Sequence, residues 1–174
     1  MQAILDESTA IVRTSTAPPD GIIIARHKCG WVSANAGIDE SNLGAEGQLL
    51  LLPEDPDASA ARIAASLHRL TGHRPGIIIT DTFGRPWRKA LVNVALGTAG
   101  VPPILSWIGE KDAYGRVLKA SEQALADELA AASGLLMRKD AGTPVIVVRG
   151  LPWERNEAAS CREYVRPLEQ DLFK

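Results

Sequence analysis

Apolar residues recur at the spacing of an amphipathic helix in several parts of the chain. The first such pattern has no Ser, Thr, Asp or Asn before it to act as a cap, so this helix begins without a start signal. The second has Asp57 placed to cap it and Gly72 placed to end it, and the third has Ser121 as its N-cap. The three predicted helices cover residues 1–13, 58–70 and 121–137.

Continuous apolar runs predict buried strands at residues 76–80, at 142–150 and within 48–57, and the segment 21–37 predicts one or two strands. The pattern of residues 88–101 fits either a short amphipathic helix or a strand followed by a glycine-rich turn. Helices and strands therefore alternate irregularly. This order favours a mixed α and β fold over a doubly wound parallel sheet.

Composition and charge narrow the class of protein. The chain has 174 residues, of which 45% are hydrophobic and 23% charged, as in one ordinary globular domain. A net charge of -2 argues against a protein that coats nucleic acid or an anionic membrane. No apolar run approaches the length of a membrane span, and the N-terminus has acidic residues where a signal peptide has basic ones. These features predict a cytoplasmic protein without a nucleic-acid or membrane partner.

The candidate chemistry rests on two aspartates. Asp81 follows the apolar run at 76–80 and has the hydroxyl of Thr82 beside it, and Asp39 lies in a second loop after a strand. Oxygen ligands of this kind suit Mg²⁺ or Mn²⁺ when nucleotide phosphates complete the coordination shell. The alternative, which the residues leave open, is that Asp39 forms a turn and Asp81 caps a turn or helix.

Two arginines near Asp81 are candidate anion contacts, and the common nucleotide-binding and cysteine motifs are absent from the sequence. Arg85 and Arg88 follow Asp81 closely and can receive phosphate or carboxylate groups, although solvation or stacking on Trp87 is equally open. The chain has no phosphate-binding loop of the common nucleotide-binding classes. Its two cysteines, Cys29 and Cys161, stand far apart, so neither a disulfide nor a zinc site is expected.

Several segments together resemble the coenzyme F420-0:γ-glutamyl ligases. They include "NAGIDESN", "LLLPEDPDASA", "TDTFGRPWR", "DAYGR" and "PVIVVRG", and the resemblance covers essentially the whole chain. It implies an α+β fold with a largely antiparallel sheet and packed helices, in a single domain over residues 1–174. It also implies that the chain is truncated at the N-terminus, because the family has a substantial segment before "ILDES".

The resemblance implies a reaction as well. The family joins L-glutamate to F420-0, a deazaflavin with a phospholactyl arm, and uses GTP with Mg²⁺ or Mn²⁺. The acceptor carboxylate is activated as an acyl phosphate, which the glutamate amine attacks, so no covalent nucleophile of the protein is expected. The family forms intertwined homodimers. Whether K⁺ is needed is left open.

Site residues follow from the matching motifs. Asp39 and Asp81 correspond to ligands of a first metal ion, Thr82 to a ligand of a second, and Asn42 to a nucleotide contact. The resemblance assigns to GTP the segment after the long helix, namely Met137, Arg138, Lys139, Asp140, Ala141, Gly142, Thr143 and Pro144. We add Arg85, Arg88 and Arg116 as anion contacts for the acceptor or the γ-phosphate.

The chain departs from the family at three further positions. Arg138 stands where the family usually has glycine, and Lys139 stands where the family can have a metal ligand, which a protonated lysine cannot be. The segment "KALVN" lacks the glycine and the acid that tend to follow "PWR". Two alternatives therefore stay open, namely a ligase for a different acceptor, and a non-catalytic or partner-dependent subunit that pairs with a separate chain supplying the missing N-terminal part.

Overall fold

A computed structural model of the chain describes residues 1–15, 21–41 and 47–172. Its α-helices are α1 (Gln2–Asp6), α2 (Pro56–Thr71) and α3 (Leu125–Met137). Its strands are β1 (Ser8–Thr14), β2 (Ile23–His27), β3 (Val32–Ala34), β4 (Ile77–Arg85), β5 (Arg88–Ala99), β6 (Ile104–Ser106) and β7 (Glu122–Ala124). In the described part of the chain, no helix is both long and apolar enough to cross a membrane.

The strands form antiparallel sheets, in agreement with the predicted α+β fold. Over the described ranges, β1, β2 and β3 make one sheet in that order, β4 pairs with β5, and β6 pairs with β7. Both long helices pack against β5. The main core lies at this junction, where Ala95 and Leu96 of β5 meet Ala126 and Ala130 of α3.

Local signals explain α2. Asp55 caps the helix by accepting a hydrogen bond from the amide of Ala58 at 2.9 Å, and Pro56 occupies the first helical position. Gly72 ends the helix in the left-handed conformation, as predicted. The prediction that Asp57 caps this helix was wrong, because the cap lies two positions earlier, at Asp55. The carboxylate of Asp57 instead accepts hydrogen bonds from other parts of the chain.

The carboxylate of Asp57 joins α2 to β5 and to the 3₁₀ turn Cys161–Tyr164. Its Oδ1 accepts from the amides of Thr98 at 2.8 Å and Cys161 at 3.2 Å, and its Oδ2 accepts from the hydroxyl of Ser160 at 2.6 Å. Gly97 permits this close packing, because a Cβ there would lie 2.3 Å from the backbone carbon of Pro56.

Two helix predictions need correction. The predicted helix over residues 1–13 is α1 followed by β1, where the β-branched Ile11 and Val12 lie in a strand paired with β2. The predicted cap Ser121 was wrong as well, since the residues after it form β7 and the N-cap of α3 is Ala124. Strand pairing thus replaced the C-terminal part of the first predicted helix and the N-terminal residues of the third.

Two strand predictions were wrong and one ambiguity is resolved. The segments 142–150 and 48–57 form no ladder, apart from a single bridge between Leu50 and Asp39, and their apolar residues are largely exposed. The ambiguous segment 88–101 contains strand β5. Its pairing with β4 buries Ala95 and Leu96, which explains why a strand prevails over a short helix.

Candidate functional site

Asp81 lies in the middle of β4 and not at its end. The strand continues to Arg85, and Asp81 pairs across the sheet with Val94 of β5. The sequence-based expectation of a strand that stops at Asp81 was therefore wrong, and so was the alternative of a turn or helix cap. A residue on a paired strand has a fixed backbone, so the half-buried carboxylate is held in one place.

A left-handed turn brings Asp39 towards β4. Asn35, Ala36 and Gly37 have φ angles of 50°, 55° and 73°, a conformation that only small or amide side chains adopt readily. The amide oxygen of Asn35 accepts from the amide of Ile23 at 3.1 Å and so fixes the turn to β2. Such strained backbone often marks a functional site, and here it precedes Asp39 by two residues.

Asp39 is exposed and strongly hydrogen-bonded. Its Oδ1 accepts from the amide of Ser41 at 2.8 Å and its Oδ2 accepts from the hydroxyl of Ser41 at 2.7 Å. These two bonds are the main reason that the pKa of Asp39 is lowered. The residue therefore forms the turn that the simpler interpretation expected and is also an ionised carboxylate that faces the site.

Asp81 has the opposite electrostatic character. Burial is the main cause that raises the pKa of its carboxyl, and the negative charge of Asp39 raises it further, whereas the amide of Thr82 acts in the other direction. The two aspartates therefore lie close enough to repel each other. A bound cation would relieve this repulsion, so the pair is suited to hold one.

Lys139 supplies a positive charge to the same place. After the larger effects of hydrogen bonding and burial, its ammonium group lowers the pKa of both Asp39 and Asp81. The residue follows the C-terminal end of α3 by two positions. Lys139, which stands where the resemblance expects a possible metal ligand, is thus near the carboxylates. In this chain, however, that position has a positively charged side chain.

The donor atoms fit a hard divalent ion whose shell is completed from outside. Among the described residues, no three His, Cys, Asp or Glu side chains cluster as a ready metal site. Asp39 and Asp81 provide carboxylate oxygens, whereas the hydroxyl of Thr82, the next residue of the paired strand β4, projects to the opposite face of the sheet and bonds to Asn93. Mg²⁺ is commonly held by one or two carboxylates with water and phosphate oxygens in the remaining positions, and this donor set matches that pattern.

Thr82 belongs to a small polar cluster that the sequence did not reveal. Its hydroxyl donates to Oδ1 of Asn93 at 3.0 Å, and Nδ2 of Asn93 donates to the sulfur of Met137 at 3.5 Å. Asn93 lies opposite Thr82 in the β4–β5 register. The only signal in the sequence was a polar residue in an otherwise apolar strand, and it became interpretable once the register was known.

The arginines are distributed over two regions. Arg85 pairs with Arg88 across the β4–β5 turn, and Arg85 donates to the carbonyl of Lys89 at 3.2 Å. The Nε of Arg85 is buried without a partner in the described part of the chain. Arg116 lies in the connection between β6 and β7, where its amide binds the carboxylate of Asp112 at 2.9 Å. The structure therefore groups Arg85 with Arg88 but records no contact of Arg116 with them.

The segment 137–144 is an exposed loop that begins at α3. Met137 reaches the Thr82 cluster through Asn93, Arg138 has φ 45°, and Arg138 pairs with Asp140 at 3.2 Å in a solvent-exposed contact. The positive φ of Arg138 is a backbone conformation that glycine adopts without steric cost. Asn42, the other predicted nucleotide contact, lies outside the described residues.

Comparison with known proteins gives a consistent result. A family model described as F420-0:Gamma-glutamyl ligase matches residues 1–150. The chain is 43% identical over its whole length to a coenzyme F420:L-glutamate ligase of Methanothermobacter thermautotrophicus, of which it covers 68%. It is 41% identical to the protein of that name in Methanocaldococcus jannaschii, again covering 68%. In Methanosarcina mazei, 87% of the chain is 47% identical to such a ligase and covers 58% of it.

Proposed function

Since the chain belongs to the F420-0:γ-glutamyl ligase family, we propose that it adds L-glutamate to F420-0, or to a related acceptor, through an amide bond. The family membership makes it an enzyme of the ligase class. The observation that supports the site most directly is that Asp39 and Asp81 come from two separate motifs and that the negative charge of Asp39 adds to the burial that raises the pKa of Asp81.

The proposed chemistry proceeds through an acyl phosphate. A carboxylate oxygen of the acceptor attacks the γ-phosphorus of GTP, and GDP leaves. The glutamate amine then attacks the carbonyl carbon, an amide bond forms, and phosphate departs with one of the original carboxylate oxygens. Phosphoryl transfer needs positioning and positive charge more than a covalent nucleophile, which agrees with a site built from carboxylates and positively charged side chains.

Each residue has a part in this proposal. Asp39 and Asp81 hold Mg²⁺ or Mn²⁺, which when bound neutralises charge that develops on the phosphates. Lys139 adds fixed positive charge beside the same carboxylates. Arg85 and Arg88 hold the anionic acceptor, with Arg85 oriented by its bond to the carbonyl of Lys89. The loop 137–144 contacts GTP; a K⁺ requirement stays open.

A ligation assay tests the reaction. The chain is incubated with F420-0, glutamate, GTP and Mn²⁺, and mass spectrometry is used to detect the addition of glutamate. With oxygen-18 in the acceptor carboxylate, one labelled oxygen should appear in the released phosphate. Product without labelled phosphate would refute the acyl-phosphate route. Absence of product, with the chain folded and able to bind GTP, would refute the proposed ligation by this chain acting alone.

The metal site is tested by substitution of Asp81. We expect Asp81→Asn to lose most Mn²⁺-dependent GTP binding in calorimetry, because it removes one of the two carboxylates. Asp6→Asn is the matched control, since Asp6 is exposed on α1 and bonds only to Gln2 among the recorded contacts. Equal GTP affinity in the Asp81 variant and the wild type would contradict the assignment of the metal site.

A different acceptor is the second candidate. It is favoured by the β4–β5 hairpin, where the segment "KALVN" lacks the expected glycine and acid and where Ala90 has φ 67°. Asn93 provides a neutral amide in this segment, so this part of the hairpin carries less negative charge than an acid would give it. A panel of carboxylate acceptors in the same mass assay separates the candidates, because F420-0 should then give less product than another acid.

We also propose that two copies of the chain associate. The segment 142–150 forms no ladder within the described chain, and Val145, Val147 and Val148 are 72%, 69% and 50% exposed. An exposed apolar segment of this kind is a common place of contact with another protein chain. Light scattering should give a dimer, and Val147→Lys should weaken it. A wild-type monomer at micromolar concentration would contradict this proposal and favour pairing with a separate chain.

A further inference from the structure

The tip of the β4–β5 hairpin exposes a tryptophan. Arg85 pairs with Arg88, so Pro86 and Trp87 form the two-residue turn between them. Trp87 is 85% exposed, and its ring therefore adds little to the core. A single exposed aromatic residue needs no explanation by itself, but the backbone that carries this one does.

Trp87 occupies a turn position that suits glycine. Its φ is 56°, and it follows Pro86, which occupies the turn position where proline is common. At a positive φ, glycine avoids the steric clash that a Cβ causes. Tryptophan therefore costs stability at this position and returns little of it through burial. Backbone of this kind is typical of binding sites, where it serves to direct a side chain at a ligand.

The same hairpin carries the charges of the proposed site in a fixed order. Side chains alternate along a strand, so Asp81 and Arg85, four residues apart, belong to one face of β4. The irregularity beside Arg85 inserts residues into β5 only, so β4 keeps this alternation, and Arg88 lies opposite Arg85 on the same face. Four residues span roughly 13 Å of strand, and Trp87 lies beyond them at the tip.

Arg85 has a donor that the fold leaves for an anion. One terminal nitrogen of its guanidinium group donates to the carbonyl of Lys89 at 3.2 Å, whereas its Nε is buried without a partner in the described part of the chain. A buried N–H group that lacks an acceptor is costly, and an anion bound beside it would remove that cost. Arg88 is exposed and adds a second positive charge. The two arginines therefore suit a phosphate group.

We propose that Trp87 determines specificity for the acceptor by stacking on the aromatic ring of F420-0, while Arg85 and Arg88 hold the phosphate of its phospholactyl arm. The inference rests on the proposed function for the identity of the acceptor. The carboxylate, phosphate and ring of F420-0 follow one another in the same order as Asp81, the two arginines and Trp87 on the hairpin. Trp87 contacts the end of the acceptor that is remote from the reacting carboxylate, so it acts on binding and not on the chemical step.

Binding of F420-0 alone tests this role without the reaction. Calorimetry in the absence of GTP and glutamate gives the affinity of the chain for F420-0. We expect Trp87→Leu to weaken this binding by about 10- to 100-fold, the range expected when a stacked aromatic side chain is removed. Trp87→Phe, which keeps a ring, should retain most of the affinity. Phospholactate, which has the arm without the ring, should bind the wild type and Trp87→Leu equally.

Two further variants separate stacking from effects on folding. Trp87→Gly removes the ring and also relieves the positive φ, so it should bind F420-0 as weakly as Trp87→Leu and yet melt no lower than the wild type. Tyr114→Leu is the matched control, because Tyr114 is 92% exposed and lies in a turn of the connection between β6 and β7. It should leave the affinity for F420-0 unchanged.

The outcomes separate this inference from the proposed function. If Trp87→Leu binds F420-0 as tightly as the wild type does, the role of Trp87 is refuted while the acceptor assignment stands. An equal loss of phospholactate binding in Trp87→Leu, or a loss of F420-0 binding in Tyr114→Leu, would also refute stacking. A wild type that binds phospholactate but not F420-0 would refute ring recognition and favour a different acceptor. A wild type that binds neither would refute this inference together with the assignment of the acceptor.

Discussion

The carboxylate of Asp57 is expected to contribute more to stability than its place in the first turn of α2 would suggest. It accepts hydrogen bonds from the amides of Thr98 and Cys161 and from the hydroxyl of Ser160. Thr98 and Cys161 are 2% and 0% exposed, so water cannot replace the acceptor at those amides. Asp57→Ala would leave two buried N–H groups unpaired.

The size of the effect follows from these contacts. A buried donor that loses its partner costs about 1–3 kcal/mol, so two of them cost about 2–6 kcal/mol, with about 4 kcal/mol at the middle of this range and little added by Ser160, which water can reach. This is a large part of the roughly 5–15 kcal/mol that stabilises an ordinary domain. For a chain of this length, each kcal/mol shifts the melting temperature by about 2–4 °C, so we expect Asp57→Ala to melt about 10 °C lower.

Thermal and denaturant unfolding at one protein concentration measure this loss. Asp57→Asn should cost only about 1 kcal/mol, because its amide oxygen still accepts from Thr98 and Cys161 while Ser160 can accept from the new N–H. Asp6→Ala, on the exposed α1, should change the unfolding free energy by less than about 0.5 kcal/mol. A loss in Asp57→Ala no larger than that in Asp6→Ala, or equal losses in Asp57→Ala and Asp57→Asn, would refute the reasoning.

Three further predictions concern stability. Gly97→Ala should destabilise the fold by more than about 3 kcal/mol in chemical denaturation, because its Cβ would overlap the backbone of Pro56; a neutral result would contradict the packing. Arg138→Gly should raise stability by about 0.5–1 kcal/mol, because φ 45° strains arginine, whereas an unchanged melting temperature would show no strain. Burial raises the pKa of Asp127, so the wild type should lose stability as pH rises from about 4 through that raised pKa. Asp127→Asn should lack this loss, and parallel pH profiles of unfolding would contradict it.

Part of the fold could be predicted because its signals are local. The helix α2 has a capping aspartate, a proline at its first position and a glycine at its end, all within one stretch of sequence. The periodicity of α3 was equally clear, although its first residues were assigned wrongly. Errors occurred where pairing with another strand decided the conformation, as in β1, which pairs with β2.

The candidate site, too, could be predicted from the sequence only in part. The sequence predicted Asp39, Asp81 and Thr82 as metal ligands from their motifs, and the resemblance indicated a reaction. It could not identify Asn93, because the partner of Thr82 depends on the register between β4 and β5. The resemblance placed Lys139 at a position that can hold a metal ligand, and the structure adds that its charge lowers the pKa of both Asp39 and Asp81.

For this protein the sequence alone determined the kinds of chemical groups, the helical periods and the family, since each depends on residues that are neighbours along the chain. The tertiary structure decided that Asp81 lies within a strand, that the segment 142–150 is exposed, and that Asp57 joins three elements. Contacts between distant segments depend on the free energy of packing the whole chain, in which strand pairing and burial outweigh local preferences. The hydrogen bond from the hydroxyl of Thr82 to Oδ1 of Asn93 is one contact that this packing produces.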